Sequence, residues 1–414
     1  MKKIILLVSI FAIASCNLNK NTAPASPKEE NKLASYIADV TYLADDKLEG
    51  RETGTKGEIL AAKYIIKRFK EIGVMPKGVN GTYYQEFKRK TKAHPHDYKG
   101  TGPEIVGQNV VGFIDNGKEK TIVIGAHYDH LGYGKEGSLS DTKGEIHNGA
   151  DDNASGVAAL LGLAKKLKAK KLSTNVMFIA FSGEEKGLWG SNFFAKNPTI
   201  SIKDMKYMVN MDMVGRLDKD KRLAVYGIGT SPVFRNVLDN QNTFGFKNKY
   251  DSSGVGPSDH TSFYLEDIPV LHFFTGQHKD YHKPTDDTEF INFQGIGLVA
   301  NYIEAIILRL DKESVIEFRK TKAGNKKSRN FKVTLGVIPD YLYDGEGMKI
   351  DGVKVGRPAE NGGIEKGDVV MKMGDFEIKS MTDYMKSLGK FEKGQKINVI
   401  VDRDGEELTL KVTL

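Results

Sequence analysis

Four apolar runs punctuate the middle of this 414-residue chain: TIVIGA (121–126), NVMFIAF (175–181), YMVNMDM (207–213) and IPVLHFF (268–274). The first two do not alternate apolar with polar, as a strand with one wet face would, so they predict central strands covered on both faces, and the other two continue the strand–helix order. Between the first two runs, Val157, Leu160, Leu161, Ala164 and Leu167 recur at helical spacing, and a further helix is predicted near 293–310. Upstream, Thr55-x-x-Glu58 has the form of a capping box. Ile59, Ala62, Ile66, Phe69 and Ile72 then mark one helical face, closed by Gly73. This order predicts an α/β fold, a three-layer sandwich with a mostly parallel central sheet. In such folds ligands collect beyond the carboxyl ends of the strands.

The pattern changes twice. Residues 316–330 (EFRKTKAGNKKSRNF) are basic and aperiodic and read as a linker, after which short strands dominate. Asp404-Gly405 between two alternating runs in 396–414 predicts a hairpin. At the other end, Lys2 and Lys3 precede an apolar stretch (4–13) of signal-peptide length, too short to span a bilayer as a mature helix. Ile13-Ala14-Ser15-Cys16 resembles a bacterial lipobox, which implies cleavage before Cys16 and lipidation of its thiol. Cys16 is the only cysteine, so the mature chain would hold no disulfide, and the lipid would be its only membrane attachment. The expected organisation is a signal peptide (1–15), a polar tether (16–32), a main domain (33–315), a linker (316–330) and a small β-rich domain (331–414). The expected location is the bacterial cell envelope, facing the periplasm or the cell surface.

Charge narrows the partners. The net charge of +7 comes from dispersed lysines. The densest runs, 165–171 and 320–329, carry no interleaved stacking aromatics, so they read as solvated surface and no nucleic-acid partner is expected.

The candidate chemistry lies in five segments: GAHYDH (125–130), GADDNASG (149–156), FSGEEKGLWGS (181–191), NMDMVG (210–215) and YHKPTDD (281–287). Each follows or ends an apolar run and offers imidazole or carboxylate donors, a mixture that suits zinc. His127 and Asp129 stand two apart at a strand end, so Asp129 can accept the second ring proton of a ligating His127. Asp151 and Asp152 are not distinguished by spacing. Asp212 falls in an otherwise apolar run, where a buried carboxylate needs a cation. His94, His96, His130, His147, His272 and His278 have no spacing that recommends them and read as structural or surface histidines.

From about 33 to 310 these segments resemble the dinuclear-zinc aminopeptidase family, which also contains glutamate carboxypeptidases and glutaminyl cyclases. The resemblance implies two zinc ions held by His127, Asp152, Glu185, Asp212 and His282. It makes Asp152 the bridging carboxylate, as the aspartate directly before the Asn-small-Ser-Gly turn. It makes Glu184 the general base, and Asp129, the support of His127, is counted with it among the catalytic residues. Asp286, four residues after His282, matches a supporting carboxylate of that family, and Tyr281, Asp259 and His260 fall in segments around its substrate pocket. Peptides are the implied substrates. The large protease-associated insertion of some relatives has no room between Gly73 and Thr121, which predicts a comparatively open pocket.

Residues 331–414 resemble a bacterial-type PDZ domain, through Thr334-Leu335-Gly336-Val337, Pro358-Ala359-Glu360 and Gly367-Asp368-Val369-Val370. In that family the Leu335-Gly336-Val337 loop would present backbone amides to the carboxylate of a peptide C-terminus. Thr334 departs from the hydrophobic residue common there. Three functions compete: a zinc aminopeptidase, a glutaminyl cyclase or carboxypeptidase on the same scaffold, and a non-catalytic PDZ-bearing envelope adaptor. Occupation of every expected catalytic position by a competent residue argues against the adaptor.

Overall fold

A computed structural model describes residues 27–90, 102–321, 333–339, 343, 345–353, 356–379 and 381–414. The expected signal peptide, the lipidation site Cys16, His94 and His96, and most of the expected linker lie outside the described residues. The first domain runs α1 (Pro27–Leu43), α2 (Lys56–Ile72), β1 (Met75–Pro76), β2 (Tyr84–Lys90), β3 (Glu104–Ile114) and β4 (Thr121–His127). It continues through α3 (Gly156–Lys168), β5 (Asn175–Phe181), α4 (Trp189–Lys196), β6 (Met205–Met211), β7 (Arg222–Tyr226) and α5 (Phe234–Gln241). It closes with β8 (Lys247–Tyr250), α6 (His260–Tyr264), β9 (Val270–Phe274) and α7 (Phe293–Leu310). The first residues of α1 come from the stretch read as a tether.

The strands form one sheet in the order β1-β3-β5-β4-β6-β9-β7-β8, with β2 also paired to β3. Its middle is parallel (β5-β4-β6-β9), as the apolar runs predicted. It meets its flanks through antiparallel pairs, β3 on β5 and β7 on β9, and β8 runs parallel to β7 at the edge. Both faces are dry because alternate residues feed two cores. Ile122, Ile124, Phe178, Ala180, Tyr207 and Val209 enter the core shared with α1, α2, α3 and α7. Val123, Met177, Ile179, Phe181 and Met208 enter the core shared with α4 and α6. A strand wet on one face could not do this.

Two expectations change at one position each, although Ala62, Ile66 and Phe69 of α2 are buried as expected. The buried face of α2 is Glu58, Ala61, Ala62, Ile65, Ile66 and Phe69, while Ile59 is exposed. The stripe starts at Glu58 because its carboxylate turns inward, accepting from Ser182, from Tyr128 OH (3.3 Å) and from the Gly54 N–H (2.5 Å). Asp212 lies one residue beyond β6 and its side chain is partly open. It therefore belongs to the rim of the sheet, where a cleft can form, not to a strand interior.

After α7 the chain stays on this domain for a further stretch. Ile316 is buried in the larger core, Arg319 N–H bonds Thr230 O (2.8 Å) and Thr321 N–H bonds Tyr264 OH (3.0 Å). The second domain has β10 (Val337–Pro339), β11 (Met348–Val353), α8 (Pro358–Asn361), β12 (Val369–Met373), β13 (Phe376–Glu377), α9 (Met381–Leu388), β14 (Lys396–Arg403) and β15 (Glu406–Thr413). Its order is β10-β11-β12-β14-β15, and it has its own core around Leu335, Ile350, Val370, Val399 and Val401. Asp404 and Gly405 both take positive φ (55° and 91°), which a tight two-residue hairpin requires. Among the described residues β10 has no strand partner on its outer edge, the place where a peptide strand adds in PDZ folds.

Candidate metal centre

The five segments converge where the parallel strands end. His127 is the last residue of β4, Glu184 and Glu185 follow β5, Asp212 follows β6 and His282 follows β9. Asp152 arrives from the turn that opens α3. That turn needs its two glycines. A Cβ on Gly149 (φ +55°) would lie 2.1 Å from Asp152 O, and one on Gly156 would lie 2.2 Å from Asn153 Oδ1 and 2.7 Å from Met211 O. Asn153 locks the turn to the end of β6, donating from Nδ2 to Met211 O (3.0 Å) and accepting the Met213 N–H (3.1 Å).

The structure separates the two aspartates that spacing could not. Asp151 faces away from the cleft, accepting from Ser155 Oγ (2.9 Å) and the Gly215 N–H (2.6 Å). Asp152 faces both ways. Its Oδ1 lies 3.3 Å from His127 Nε2, and its Oδ2 lies 3.2 Å from His282 Nε2. His127 Nε2 is also 3.3 Å from Asp212 Oδ1, and His282 Nε2 is 3.2 Å from Glu185 Oε2. Donors about 2.1 Å from a tetrahedral zinc stand about 3.4 Å apart, close to each of these four separations, and His127, Asp152 and Asp212 offer donor atoms that all lie within 4.8 Å of one another. The residues therefore fit the group that the donor chemistry implies.

Outer contacts hold these donors. Asp129 Oδ1 accepts the Glu184 N–H (3.1 Å) and its Oδ2 accepts from Thr53 Oγ1 (3.1 Å), while His127 Nδ1 lies 3.2 Å from the backbone Asp129 O and 3.7 Å from Oδ1. The ring proton expected to go to the Asp129 carboxylate meets its backbone carbonyl instead, so Asp129 ties the base candidate to a ligand candidate through its carboxylate on one side and its main chain on the other. Asp286 accepts the N–H groups of Asp151 and Asp152 (both 3.0 Å). It supports the Asp152 turn, and the His282 ring is held instead by Gly137 O, 2.9 Å from Nδ1. Tyr281 stacks on His282 with ring centroids 3.8 Å apart.

The charges are strongly coupled. Burial opposes ionisation of Asp152 and Glu185, but His130, His127 and His282 outweigh it for Asp152, and His282 and His130 for Glu185. The result is Asp152 held well below the usual carboxylate range and Glu185 lowered to about 2. Burial likewise opposes a charged His282, yet Glu185 and Asp152 raise it to about 10. Glu184 goes the other way. Burial, with Asp212, Glu185 and Asp259 adding to it against the pull of His127, pushes it well above the ordinary glutamate value. Cations bound beside it would reverse that push.

A solvent-open cleft of about 480 Å³ contains Asp152, Glu184, Glu185, Asp212 and His282. Met213, Tyr226, His272, Phe274 and Tyr281 also line it. Asp259 and His260 are fully buried. Burial raises Asp259 to about 7, and His260 stacks on His272 with centroids 4.4 Å apart.

Two histidines read as merely structural belong to the site. His272 lines the cleft and is kept neutral, lowered to about 4, chiefly by burial. His130 places Nδ1 2.9 Å from Glu185 Oε1. The signal for His130 was its position three residues after a ligand, just past the same strand end. In the second domain, Thr334 Oγ1 accepts the Gly336 N–H (3.0 Å) within the candidate carboxylate loop.

Residues 109–307 match the model of peptidase family M28, and residues 316–414 match that of the PDZ domain. The chain is 28% identical over 238 residues to aminopeptidase YwaD of Bacillus subtilis, covering 54% of this chain and 48% of that protein. It is 28% identical over 170 residues to the alkaline phosphatase isozyme conversion protein of Escherichia coli, covering 39% and 46%. The chain thus spans about half the length of these two relatives. Among solved structures, a Zn-dependent exopeptidase from Parabacteroides distasonis has a TM-score of 0.55 at 20% identity, covering 67% of this chain and 97% of that one. Porphyromonas gingivalis glutaminyl cyclase has a TM-score of 0.55 at 18% identity, covering 66% and 97%. These likenesses establish a shared fold.

Proposed function

From a chain that carries a peptidase family M28 domain followed by a PDZ domain, we propose a zinc-dependent aminopeptidase that holds two metal ions. The observation that carries this reading is Asp152, whose two oxygens each face a separate imidazole–carboxylate pair, with Glu184 in the same cleft. When bound, the two zinc ions would lower the pKa of a water and polarise the scissile carbonyl. His127 with Asp212, and His282 with Glu185, would hold them, and Asp152 would be shared. Glu184 takes the proton of the attacking water and returns it to the leaving amine. Asp129 positions Glu184 through its backbone N–H, and faces the His127 ring as well.

Release from the amino end is favoured over the carboxyl end by the cleft wall. A carboxypeptidase must neutralise its substrate's terminal carboxylate, and no Lys or Arg lines this cleft among the described residues. The aromatic and thioether lining, with His272 neutral, suits an uncharged side chain beside the scissile bond. The chain's similarity to an aminopeptidase of Bacillus subtilis supports the same choice. The glutaminyl cyclase alternative rests on fold likeness. Extending the proposal, Cys16 would anchor the enzyme by lipid in the cell envelope, and the outer edge of β10 would receive peptide C-termini.

The test is a panel of aminoacyl, carboxyl-blocked and N-terminal Gln peptides, assayed with and without chelator. An aminopeptidase releases the first residue from carboxyl-blocked peptides. A cyclase releases ammonia from N-terminal Gln and leaves the chain length unchanged. Glu184→Ala should keep both zincs and lose hydrolysis by at least about 10²-fold. Normal turnover by that variant would sink the mechanism.

A further inference from the structure

The described donors include three imidazoles where the ligand set proposed above uses two. His130, Asp152 and Glu185 offer donor atoms that lie within 4.8 Å of one another, and His130 is 1% exposed. Its ring is wedged edge-on to His282, with centroids 5.8 Å apart and planes at 73°. On another side it fills the space that a side chain at Gly149 would need, since a Cβ there would fall 2.5 Å from Cδ2. The ring can neither leave nor turn freely.

Distances separate two roles for it. A ligand sharing a tetrahedral zinc with Glu185 and Asp152 would stand about 3.4 Å from both. His130 Nδ1 is instead 2.9 Å from Glu185 Oε1, the length of an N–H···O hydrogen bond, and 3.9 Å from Asp152 Oδ2. His282 Nε2 meets the other oxygen of Glu185, Oε2. The two imidazoles therefore divide the carboxylate between them. His130 Nε2 is buried with no partner among the described groups, so a proton there would be an unsatisfied donor. The proton belongs on Nδ1, where Oε1 accepts it.

We infer that His130 is a positioning residue: its Nδ1–H pins Glu185 Oε1, so that Glu185 offers only Oε2 to the metal on the His282 side. A carboxylate held this way acts through one oxygen and leaves a position free, which a catalytic site needs and a closed structural site lacks. The inference rests on the two-metal reading proposed above.

The experiment uses the full-length zinc-loaded protein and variants His130→Ala, His130→Asn and His130→Gln, titrated against a chelator with zinc counted per chain. The amide nitrogen of asparagine can stand where Nδ1 stands, whereas that of glutamine reaches the position of Nε2. His130→Ala and His130→Gln should bind one zinc as the wild type does and the other roughly 10–100-fold more weakly. His130→Asn should recover most of that loss. X-ray absorption should count the same number of imidazoles per zinc in wild type and His130→Asn. A lower count in His130→Asn would make His130 a ligand and overturn the inference. Equal zinc affinity in wild type and His130→Ala would overturn it too, as would His130→Asn no better than His130→Gln. A wild-type protein that takes up a single zinc would overturn both this inference and the two-metal reading beneath it.

Discussion

Replacing Arg51 by methionine should both destabilise the main domain and loosen its metal centre. Arg51 is 1% exposed, and its guanidinium makes no direct ion pair among the described residues. It donates instead to four backbone carbonyls: Tyr128 O from Nε (2.8 Å), Leu43 O and Asn148 O (2.6 Å) from Nη1, and Gly149 O from Nη2 (3.1 Å). Tyr128 follows His127 directly, and Gly149 opens the turn that carries Asp152, so one side chain clamps two ligand-bearing segments together. Burial lowers its pKa to about 10, with Asp129, Asp152, Asp286 and Glu185 pulling the other way, so it stays charged at neutral pH.

In Arg51→Met, Gly149 O keeps the Ala154 N–H (3.2 Å), but the other three carbonyls lose this donor at roughly 1–3 kcal/mol each. Not having to dehydrate a guanidinium returns several kcal/mol. A net loss of roughly 2–5 kcal/mol follows, or about 3–8 °C in Tm for a domain of this size. Arg51→Lys should recover less than half, because one ammonium cannot fork to carbonyls on several sides. The assay is thermal melting of the chelator-treated protein, which removes metal linkage from the comparison, followed by zinc titration of the folded variant. A melting temperature within about 2 °C of wild type, or unchanged zinc affinity, would refute the clamp.

Three further outcomes are expected. Asp152→Ala should lose both zincs, whereas Asp151→Ala should keep them and melt lower, because Asp151 serves Ser155 and Gly215; zinc content of the purified variants checks this. Thr334→Val should free the Gly336 N–H that Thr334 Oγ1 now accepts, and strengthen binding of fluorescent peptides with a free C-terminus by roughly tenfold in polarisation assays. His272 is lowered to about 4 from 6.5, chiefly by burial, so the folded state binds fewer protons there than the unfolded chain. Its contribution is present above pH 6.5 and is lost as pH falls from 6.5 through 4, by up to about 3 kcal/mol. His272→Asn should show a shallower fall in Tm over that window in chelator-treated protein, and an unchanged slope would count against it.

What the sequence disclosed and what it withheld follow from the range of the interactions involved. The apolar runs of β4 and β5 were legible because their burial on both faces is written in consecutive residues, and the donor segments were legible because each sits where such a run stops. Asp151 and Asp152 were not separable, because their orientations are decided by Gly215, His278 and His282, far away in the chain. His130 was hidden for the same reason: its meaning lies in Glu185, 55 residues on. The α2 face was legible at Ala62, Ile66 and Phe69, but its first position was read as Ile59 because Glu58, polar by type, is held inward by Ser182 and Tyr128. Arg51 gave no signal at all, since a buried arginine that serves carbonyls has the same letter as one on the surface. Local patterning thus discloses which residues can reach the centre. Which oxygen of a carboxylate faces it is decided by partners that only the fold brings near. A test of this division is to compare Asp151→Asn with Asp152→Asn: the side chains are the same and adjacent, and zinc loss confined to the second would show that tertiary partners alone set the difference.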